Sequence, residues 1–417
     1  MKIILLCYKL SPNRGSEHAV AWNFLRKMSP YHEFYVMYGH DGTPDLREMR
    51  EWIESHQEEN IHYCPILIPQ TRYARFTEWV YKHEKYIGFF LKYKLWHKEA
   101  YRKAKQLCEE EGIDLIHYLN PIGFKEPGEC WKIKDVPYVW GPIQGVQNWP
   151  LSMWKAISTK GKIEALYRLI AHNAVLLGSY KVRKAVSRAD YIWGVSNNTL
   201  YQFKKLFDKD LGYLPENGIM QMNTNTPIKR KVDEPLKLIW VGKFEDRKCI
   251  HLLLMALGKL KGLNWQLDVC AGGGGKNEKL LIHELGIEKQ VNFKGRLTRN
   301  EVQECFRNSH LHVISSLQEA TTTVLLEAMS WGVPTLTLDH CGMGVVVCEK
   351  CGIKIPIHSY QQVINDMAAA INDMINSPEK VENLSAGVLK CSKEYLWGNR
   401  IQRFNEVYDK VIIKYKK

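Results

Sequence analysis

No stretch of this sequence stays apolar for the roughly 18–20 residues that a bilayer-spanning helix needs, so no membrane span is expected. The amino-terminal run Ile3–Tyr8 is shorter than the roughly 7–15 residues of a secretory h-region. No small-residue cleavage site follows it, so no leader is expected either. Cys348 and Cys351 form a C-x-x-C with His340 and Cys341 close by, but there is no second such pair to complete a four-ligand zinc site. The eleven cysteines therefore read as free thiols of a reducing compartment, which points to the cytoplasm. No G-x-G-x-x-G follows the first strand, which argues against a dinucleotide-dependent oxidoreductase. Low-complexity segments and short-period repeats are missing as well.

What is there is a globular composition: 417 residues, 45% hydrophobic and 25% charged, with a net charge of +13. A single core stops growing at roughly 250–300 residues, so two domains are expected. Short β-branched runs alternate with amphipathic stretches such as Ser16–Met28. The runs of the first half are Lys2–Tyr8, Glu33–Tyr38, Ile61–Ile68, Asp114–Leu119, Pro137–Trp140 and Tyr191–Ser196. Those of the second half are Leu236–Val241, Trp265–Ala271, Val291–Lys294, Leu311–Ser315, Pro334–Leu338 and Ile353–Ile357. Continuous apolar strands alternating with helices predict an α/β fold with parallel sheets covered on both faces. The polar, proline-containing stretch Met222–Pro235 reads as a linker. The expected division is 1–222, a linker 223–235, a second Rossmann-like unit 236–395, and a last helix 396–417. In that helix Trp397, Ile401, Phe404, Tyr408 and Val411 recur at helical spacing and must be buried against something.

In open α/β sheets ligands bind beyond the carboxyl ends of the strands, so the strand-to-helix loops carry the chemistry. Trp265–Ala271 ends in Gly272-Gly273-Gly274-Gly275 before a helix. Glycines let a ligand approach the backbone, and a helix start attracts phosphate; the alternative is a plain tight turn. It is not a P-loop, because Cys270 stands at the first glycine and Asn277 at the Ser/Thr. The strand LKLIWVG leads into Lys243-Phe244-Glu245-Asp246-Arg247-Lys248. Lys243 and Lys248 can converge on a diphosphate, unless the loop is simply a solvated charged turn. The segment SLQEATTTVLLEAMSWGVP sets Glu319 in a loop and Glu327 inside an apolar helix. A buried carboxylate needs a partner, and a ribose diol offers two hydrogen bonds. Downstream, Cys341-Gly342-Met343-Gly344-Val345 is another glycine loop able to offer N–H groups to phosphate.

The pattern Glu319-x7-Glu327 in this setting closely resembles the retaining family 4 glycosyltransferases. So do VGKFEDRK, VNFKGRLTRNEV and ADYIWGVSNNT…LPENGI. SPNRGSEHAVAWNFLRKMS resembles that family's first glycine loop and helix, and GPIQGVQNWP resembles a segment of its polysaccharide-building members. The resemblance covers nearly the whole chain. It implies a GT-B fold, two Rossmann-like domains facing across a cleft with the last helix crossing back to the first. It implies a nucleotide-diphosphate-sugar donor, such as a UDP- or GDP-sugar, held mainly by the second domain without a metal ion. In that scheme Glu327 holds the ribose hydroxyls, Glu319 contacts the donor sugar, and Lys243 and Lys248 neutralise the diphosphate. Gly15, Arg14, Gly273, Thr323 and the amides of Met343, Gly344 and Val345 complete the donor site. Asn120, Ser196 and Asn217 lie on the acceptor side.

Three positions depart from the family pattern. Lys243 stands where an arginine is usual, which keeps the charge and loses the bidentate fork. Arg14 replaces the first of a glycine pair. Leu119 stands where many members carry a histidine; His117, two residues earlier on the same strand face, is a candidate for a catalytic part, but one pleat below the cleft it reads more readily as a core residue than as a base, and Asn120 is the nearest polar alternative. A retaining transfer in which the leaving phosphate takes the acceptor proton needs no side-chain base. Asp208-Lys209-Asp210 has the spacing of a metal motif of the other major glycosyltransferase fold, but it lies in a polar connector.

Between Arg72 and Lys105 there are ten Lys/Arg, three Glu and ten aromatic residues, Tyr86 and Trp96 among them. Phe76, Val80, His83, Ile87 and Phe90 share one face of a helix drawn through this stretch. A basic helix with an aromatic face suits an anionic membrane surface; the alternative is aromatics turned to the core. Lys181, Arg183, Lys184 and Arg188 add a second basic cluster. No nucleic-acid recognition motif accompanies the charge. The expected activity is transfer of a sugar to a hydroxyl of a cell-envelope, exopolysaccharide or lipopolysaccharide precursor, at the cytoplasmic face of a membrane. The rivals are a GT-B sugar-nucleotide epimerase and a non-catalytic sugar-nucleotide-binding scaffold.

Overall fold

The computed structural model describes residues 1–39, 44–56 and 58–416. Its first sheet comprises β1 (Lys2–Cys7), β2 (Glu33–Tyr38), β3 (Ile61–Pro65), β4 (Leu115–Asn120), β5 (Tyr138–Ile143), β6 (Tyr191–Gly194) and β7 (Gly212–Tyr213). The second comprises β8 (Leu236–Lys243), β9 (Trp265–Gly272), β10 (Val291–Phe293), β11 (Leu311–Ile314), β12 (Thr335–Leu338) and β13 (Gly352–Ile355). Every paired strand is parallel, in the orders β3-β2-β1-β4-β5-β6-β7 and β10-β9-β8-β11-β12-β13. Both sheets reverse their winding beside their first strand, between β1 and β4 and between β8 and β11. Those are the switch points at which ligands bind.

The period-two alternation of a strand explains why the apolar runs are continuous. In β1, Ile4 and Leu6 face one core with Trp96, Tyr118 and Trp140. Ile3, Leu5 and Cys7 face another, with Phe24, Trp193 and residues of the last helix. That helix, Trp397–Lys416, crosses back and buries Trp397, Phe404, Tyr408 and Val411 on the first sheet. Phe404 meets Trp193 edge to face at 4.9 Å. The crossing is pinned by two backbone bonds of Ile219: its N–H donates to the Tyr395 carbonyl, and its carbonyl accepts from Trp397 N–H.

Two elements differ from the sequence reading. The basic aromatic stretch is not one helix. It breaks at Glu84 (φ −130°, ψ 84°) into Arg72–His83 and Lys85–Glu110. Gly88 sits so close to the Tyr81 backbone that a Cβ would come within 2.2 Å of its Cα; the missing side chain lets the helices fold back on one another. Phe76 and Val80 therefore do not share a face with Ile87 and Phe90; the Tyr86 side chain lies outside the described residues. The division at residue 222 is also too simple. Met153, Ala156, Ile157 and Ala165, which follow β5 of the first sheet, are buried in the core of the second, beside Leu252 and Leu253. Helix Thr159–Gly178 grows out of that anchor: its cap Ser158 bonds Gly161 N–H, and the Ser158 hydroxyl also bonds Asp246 of the second half. The two carboxylates of Asp208 and Asp210 both pair with Lys204, at 3.0 and 2.9 Å. Among the described residues no helix is long and apolar enough to cross a membrane.

Candidate functional site

Between the two switch points lies a cavity of about 590 Å³, lined from the first half by Ser16, Glu17, Gln147, Arg168 and His172, and from the second by Lys243, Arg247, Lys248, Glu319 and Thr323. The loops after β8 and β11 are laced together. Leu317 N–H donates to the Arg247 carbonyl at 2.9 Å, and the Ser315 hydroxyl donates to the Lys248 carbonyl at 2.8 Å. This lacing brings the Glu319 carboxylate onto Lys248 and onto Arg247 Nη1, the latter at 2.7 Å. Lys243 lines the same cavity and makes no side-chain hydrogen bond or ion pair among the described residues. Its charge is available to an incoming anion, whereas that of Lys248 is shared with Glu319.

The helix carrying Glu327 runs from Thr323 to Ser330. Its cap, Thr322, holds φ +60°, a costly conformation for a β-branched residue and one that marks functional sites. The strain is held by Glu216, whose buried carboxylate accepts the N–H groups of Thr321 (2.9 Å) and Thr322 (3.2 Å). Burial pushes the Glu216 carboxyl above its ordinary range, and these amides pull it back. Glu327 lines a second, smaller chamber of about 230 Å³ with Asn23, Asn217, Arg299 and Gln303. Thr323 lines both chambers. Burial raises the Glu327 carboxyl, and Arg299, at 3.7 Å, opposes that. Asn217 donates to Thr323 Oγ1 at 3.1 Å and accepts from Asn23 at 3.3 Å, so it joins the first helix of one half to the Glu327 helix of the other.

Several predicted residues lie elsewhere. His117 is corrected to a core residue: fully buried, with Nδ1 2.6 Å from the Tyr408 hydroxyl and Nε2 2.8 Å from the Gly141 carbonyl. Burial takes its pKa to about 4, so it is neutral at pH 7 and sealed from the cleft. Asn120 is buried too; it accepts from Lys9 N–H and donates to the carbonyls of Lys9 and Glu17, so it shapes the first glycine loop from behind. Ser196 caps helix Asn197–Phe207 and accepts from Gln147, which itself lines the cavity. Gly15 and Gly273 are exposed loop positions that line neither chamber. Arg14 is held by Glu48, at 2.7 Å. Met343, Gly344 and Val345 form the short helix Met343–Val346, and the amides of Gly344 and Val345 donate to His340 and Gly342. In this state they are not turned to either chamber.

The sequence reading passed over Arg247, Arg168, His172, Glu216 and Arg299. Arg247 stood in the quoted loop between the two lysines. Arg168 and His172 sit one helical turn apart, on a helix whose position no spacing reveals. Arg168 reaches Gln318 across the cleft at 2.8 Å. His172 is held neutral by burial, with a pKa of about 4, and its Nδ1 has no hydrogen-bond partner among the described residues.

Residues 221–388, which carry the Lys243–Lys248 loop and the Glu319-x7-Glu327 segment, match the family model for Glycosyl transferases group 1. These residues, about two fifths of the chain, carry the match to a glycosyl transferases group 1 domain. The lipopolysaccharide 1,6-galactosyltransferase of Salmonella typhimurium is 31% identical over 157 residues, 36% of this chain and 43% of that protein. The D-inositol 3-phosphate glycosyltransferase of Thermobispora bispora is 24% identical over 188 residues, 42% of this chain and 43% of that protein. The chain thus spans less than half the length of these curated relatives. Solved structures match over the whole fold. The apo lipopolysaccharide outer core galactosyltransferase WaaB superposes with a TM-score of 0.67 at 17% identity, covering 98% of this chain and 99% of that one. Anabaena Alr3699/HepE in complex with UDP-glucose does so with a TM-score of 0.61 at 13% identity, covering 98% and 100%. The group 1 domain therefore belongs to a GT-B architecture.

Proposed function

We propose that this protein is a retaining glycosyltransferase. It takes a hexose from a UDP- or GDP-sugar and passes it to a hydroxyl of a cell-envelope, exopolysaccharide or lipopolysaccharide precursor. The observation that carries the reading is the pairing of the two chambers around Thr323: one lined by Lys243, Arg247, Lys248 and Glu319, the other by Glu327. The chambers fit the two ends of a nucleotide sugar. Glu327 accepts the ribose hydroxyls. Lys243 and the Arg247–Lys248 pair take the diphosphate, releasing Glu319 to the hydroxyls of the sugar. The bond from the anomeric carbon to the leaving phosphate breaks, and the acceptor oxygen bonds that carbon on the same face. The acceptor proton passes to the departing phosphate oxygen, so configuration is retained and no side-chain base is consumed. Fixed cations in a water-poor cleft stabilise the developing phosphate charge without a metal ion. His172, a lining residue of the first-half wall, is placed to orient the acceptor. The galactosyltransferase named among the relatives and the UDP-glucose complex of the Anabaena protein support the donor class.

The reading includes docking on the cytoplasmic face of an anionic membrane. Helix Arg72–His83 exposes Tyr73, Phe76 and Trp79, and helix Thr159–Gly178 exposes Ile163, Leu166, Ile170 and Leu177. Arg72, Arg75, Lys82 and Lys160 are exposed beside them. Apolar side chains ringed by cations fit an acidic lipid surface better than a neutral one.

The test of the activity is a thermal-shift panel of UDP-, GDP-, ADP- and CMP-sugars, followed by product analysis with and without lipid-linked acceptor. A donor at about 100 times its dissociation constant stabilises the protein by roughly 2.7 kcal/mol. A single responding nucleotide and an acceptor-dependent product with retained configuration are expected. Epimerised donor without acceptor, or inverted product, would overturn the reading.

A further inference from the structure

Outside both chambers the fold gathers three thiols that the sequence separates. Cys348 and Cys351 lie in the turn after helix Met343–Val346, and Cys391 lies on helix Pro378–Tyr395. Cys348 Sγ is 3.5 Å from Cys351 Sγ and 3.5 Å from Cys391 Sγ, and all three sulfurs lie within 4.8 Å of one another. A disulfide would bring a pair to about 2.05 Å. Thiolates at about 2.3 Å from a tetrahedral ion stand roughly 3.8 Å apart, close to what is observed.

The surroundings are shaped for this. The Cys348 carbonyl accepts the N–H groups of Cys351 (2.9 Å) and Gly352 (3.0 Å), and Cys348 N–H donates to Cys351 Sγ at 3.2 Å. The turn thus presents both sulfurs on one side, with a backbone donor on one of them. Cys391 reaches them because Gly387, one helical turn earlier on the same face, has no side chain. A Cβ there would lie 1.6 Å from the Lys350 carbonyl oxygen, so only glycine lets the helix rest on the turn.

We propose that Cys348, Cys351 and Cys391 bind one zinc ion as thiolates. Each thiol gives its proton to solvent as the metal enters. Among the described residues no fourth His, Cys, Asp or Glu joins the group. Cys348 and Cys391 are only partly buried, so water takes the fourth position. The ion's role is structural. It joins the turn after Met343–Val346 to the helix that leads into the crossing at Tyr395–Trp397, next to the apolar face that the Glu327 helix buries through Leu325, Leu326 and Met329. The sequence offered only the C-x-x-C, because the third ligand is forty residues downstream.

The test uses the full chain, purified under reductant without chelator. Zinc content is measured by elemental analysis, and Co²⁺ is titrated anaerobically into metal-free protein. About one metal per chain is expected, with the near-ultraviolet thiolate charge-transfer band and visible bands of tetrahedral cobalt. Cys391→Ser should lose these bands, and Cys64→Ser, outside the group, should keep them. Chelation should lower the Tm of the wild type by about 5 °C or more and leave that of Cys391→Ser unmoved. Absence of metal uptake by the reduced wild type overturns the proposal whatever the variants do. So does full cobalt binding by Cys391→Ser.

Discussion

At the scale of single residues, burial separates groups that look alike in the sequence. His117 and His172 are both neutral histidines, but His117 has both ring nitrogens engaged in the core, while His172, buried in the cleft wall, has an Nδ1 with no hydrogen-bond partner among the described residues. His117→Gln should therefore cost roughly 1–3 kcal/mol of stability, seen as a lowered denaturant midpoint, because it leaves buried partners unsatisfied. On the proposed function, the surviving folded protein should turn over normally. His172→Ala should do the reverse, sparing the midpoint and lowering kcat/KM for acceptor; equal effects on both quantities at either position would contradict this assignment. Glu327 offers a third case. If its carboxylate holds the ribose, Glu327→Ala should weaken donor binding about 10- to 100-fold, the worth of hydrogen bonds to a charged group. Apo Tm and circular dichroism should stay the same. Burial raises the Glu327 pKa, so the acceptor-competent ionised form is lost at a higher pH than for an exposed glutamate. Donor affinity of the wild type should accordingly decline on mild acidification, and Glu327→Gln should flatten that decline; calorimetry across the pH range reads both.

Elements were legible where periodicity is strong and poorly legible where chain reversal or distant packing decides. Each of the twelve apolar runs became a strand of a parallel sheet, since a buried strand must be apolar on both faces. Among the described residues only the two-residue edge strand Gly212–Tyr213 lay outside those runs. The basic aromatic stretch failed as one helix because helical spacing runs unbroken through Glu84, and the Gly88–Tyr81 approach that folds it back is a tertiary contact. Segment 151–165 failed for a similar reason: nothing in its composition says that it packs on the opposite sheet. The site shows the same split. Glu319, Glu327, Lys243, Lys248, Thr323 and Asn217 lay in motifs and line the chambers, whereas Arg168 and His172 arrive there on a helix whose outward face is apolar. That outward face, with Phe76 and Trp79, yields a prediction at this scale. Replacing Phe76 and Trp79 by serine, alone or with Ile163 and Ile170, should cut pelleting with anionic liposomes at low salt several-fold and leave donor-induced thermal shifts intact. Undiminished pelleting would mean that these faces do not meet lipid.

At the scale of the whole molecule, two connections hold the cleft from opposite ends. One is the anchor of Met153–Ala165 in the second core, extended by Arg168 to Gln318. The other is the crossing at residues 216–219 and 395–400, where Arg400 is buried against Trp397 and Phe404 and its charge acts on Glu216. Glu216 in turn caps the strained start of the Glu327 helix. The last helix is therefore part of the first domain's core and at the same time reaches, through Arg400 and Glu216, the amides of Thr321 and Thr322. Trp397, Phe404, Tyr408 and Val411 are each almost fully buried. At about 1.5–3 kcal/mol per large apolar side chain, their burial is comparable to the roughly 5–15 kcal/mol by which a whole domain is stable. A chain ending at Leu396 should therefore lose the first half's cooperative unfolding and expose Phe24, Phe34 and Trp193 to solvent. Limited proteolysis should then cut within residues 1–210 and spare 236–390, whose core contains none of the helix's side chains. If the truncated chain instead melted as one transition at the wild-type temperature, the crossing helix would be an ornament on the first domain and not a layer of it.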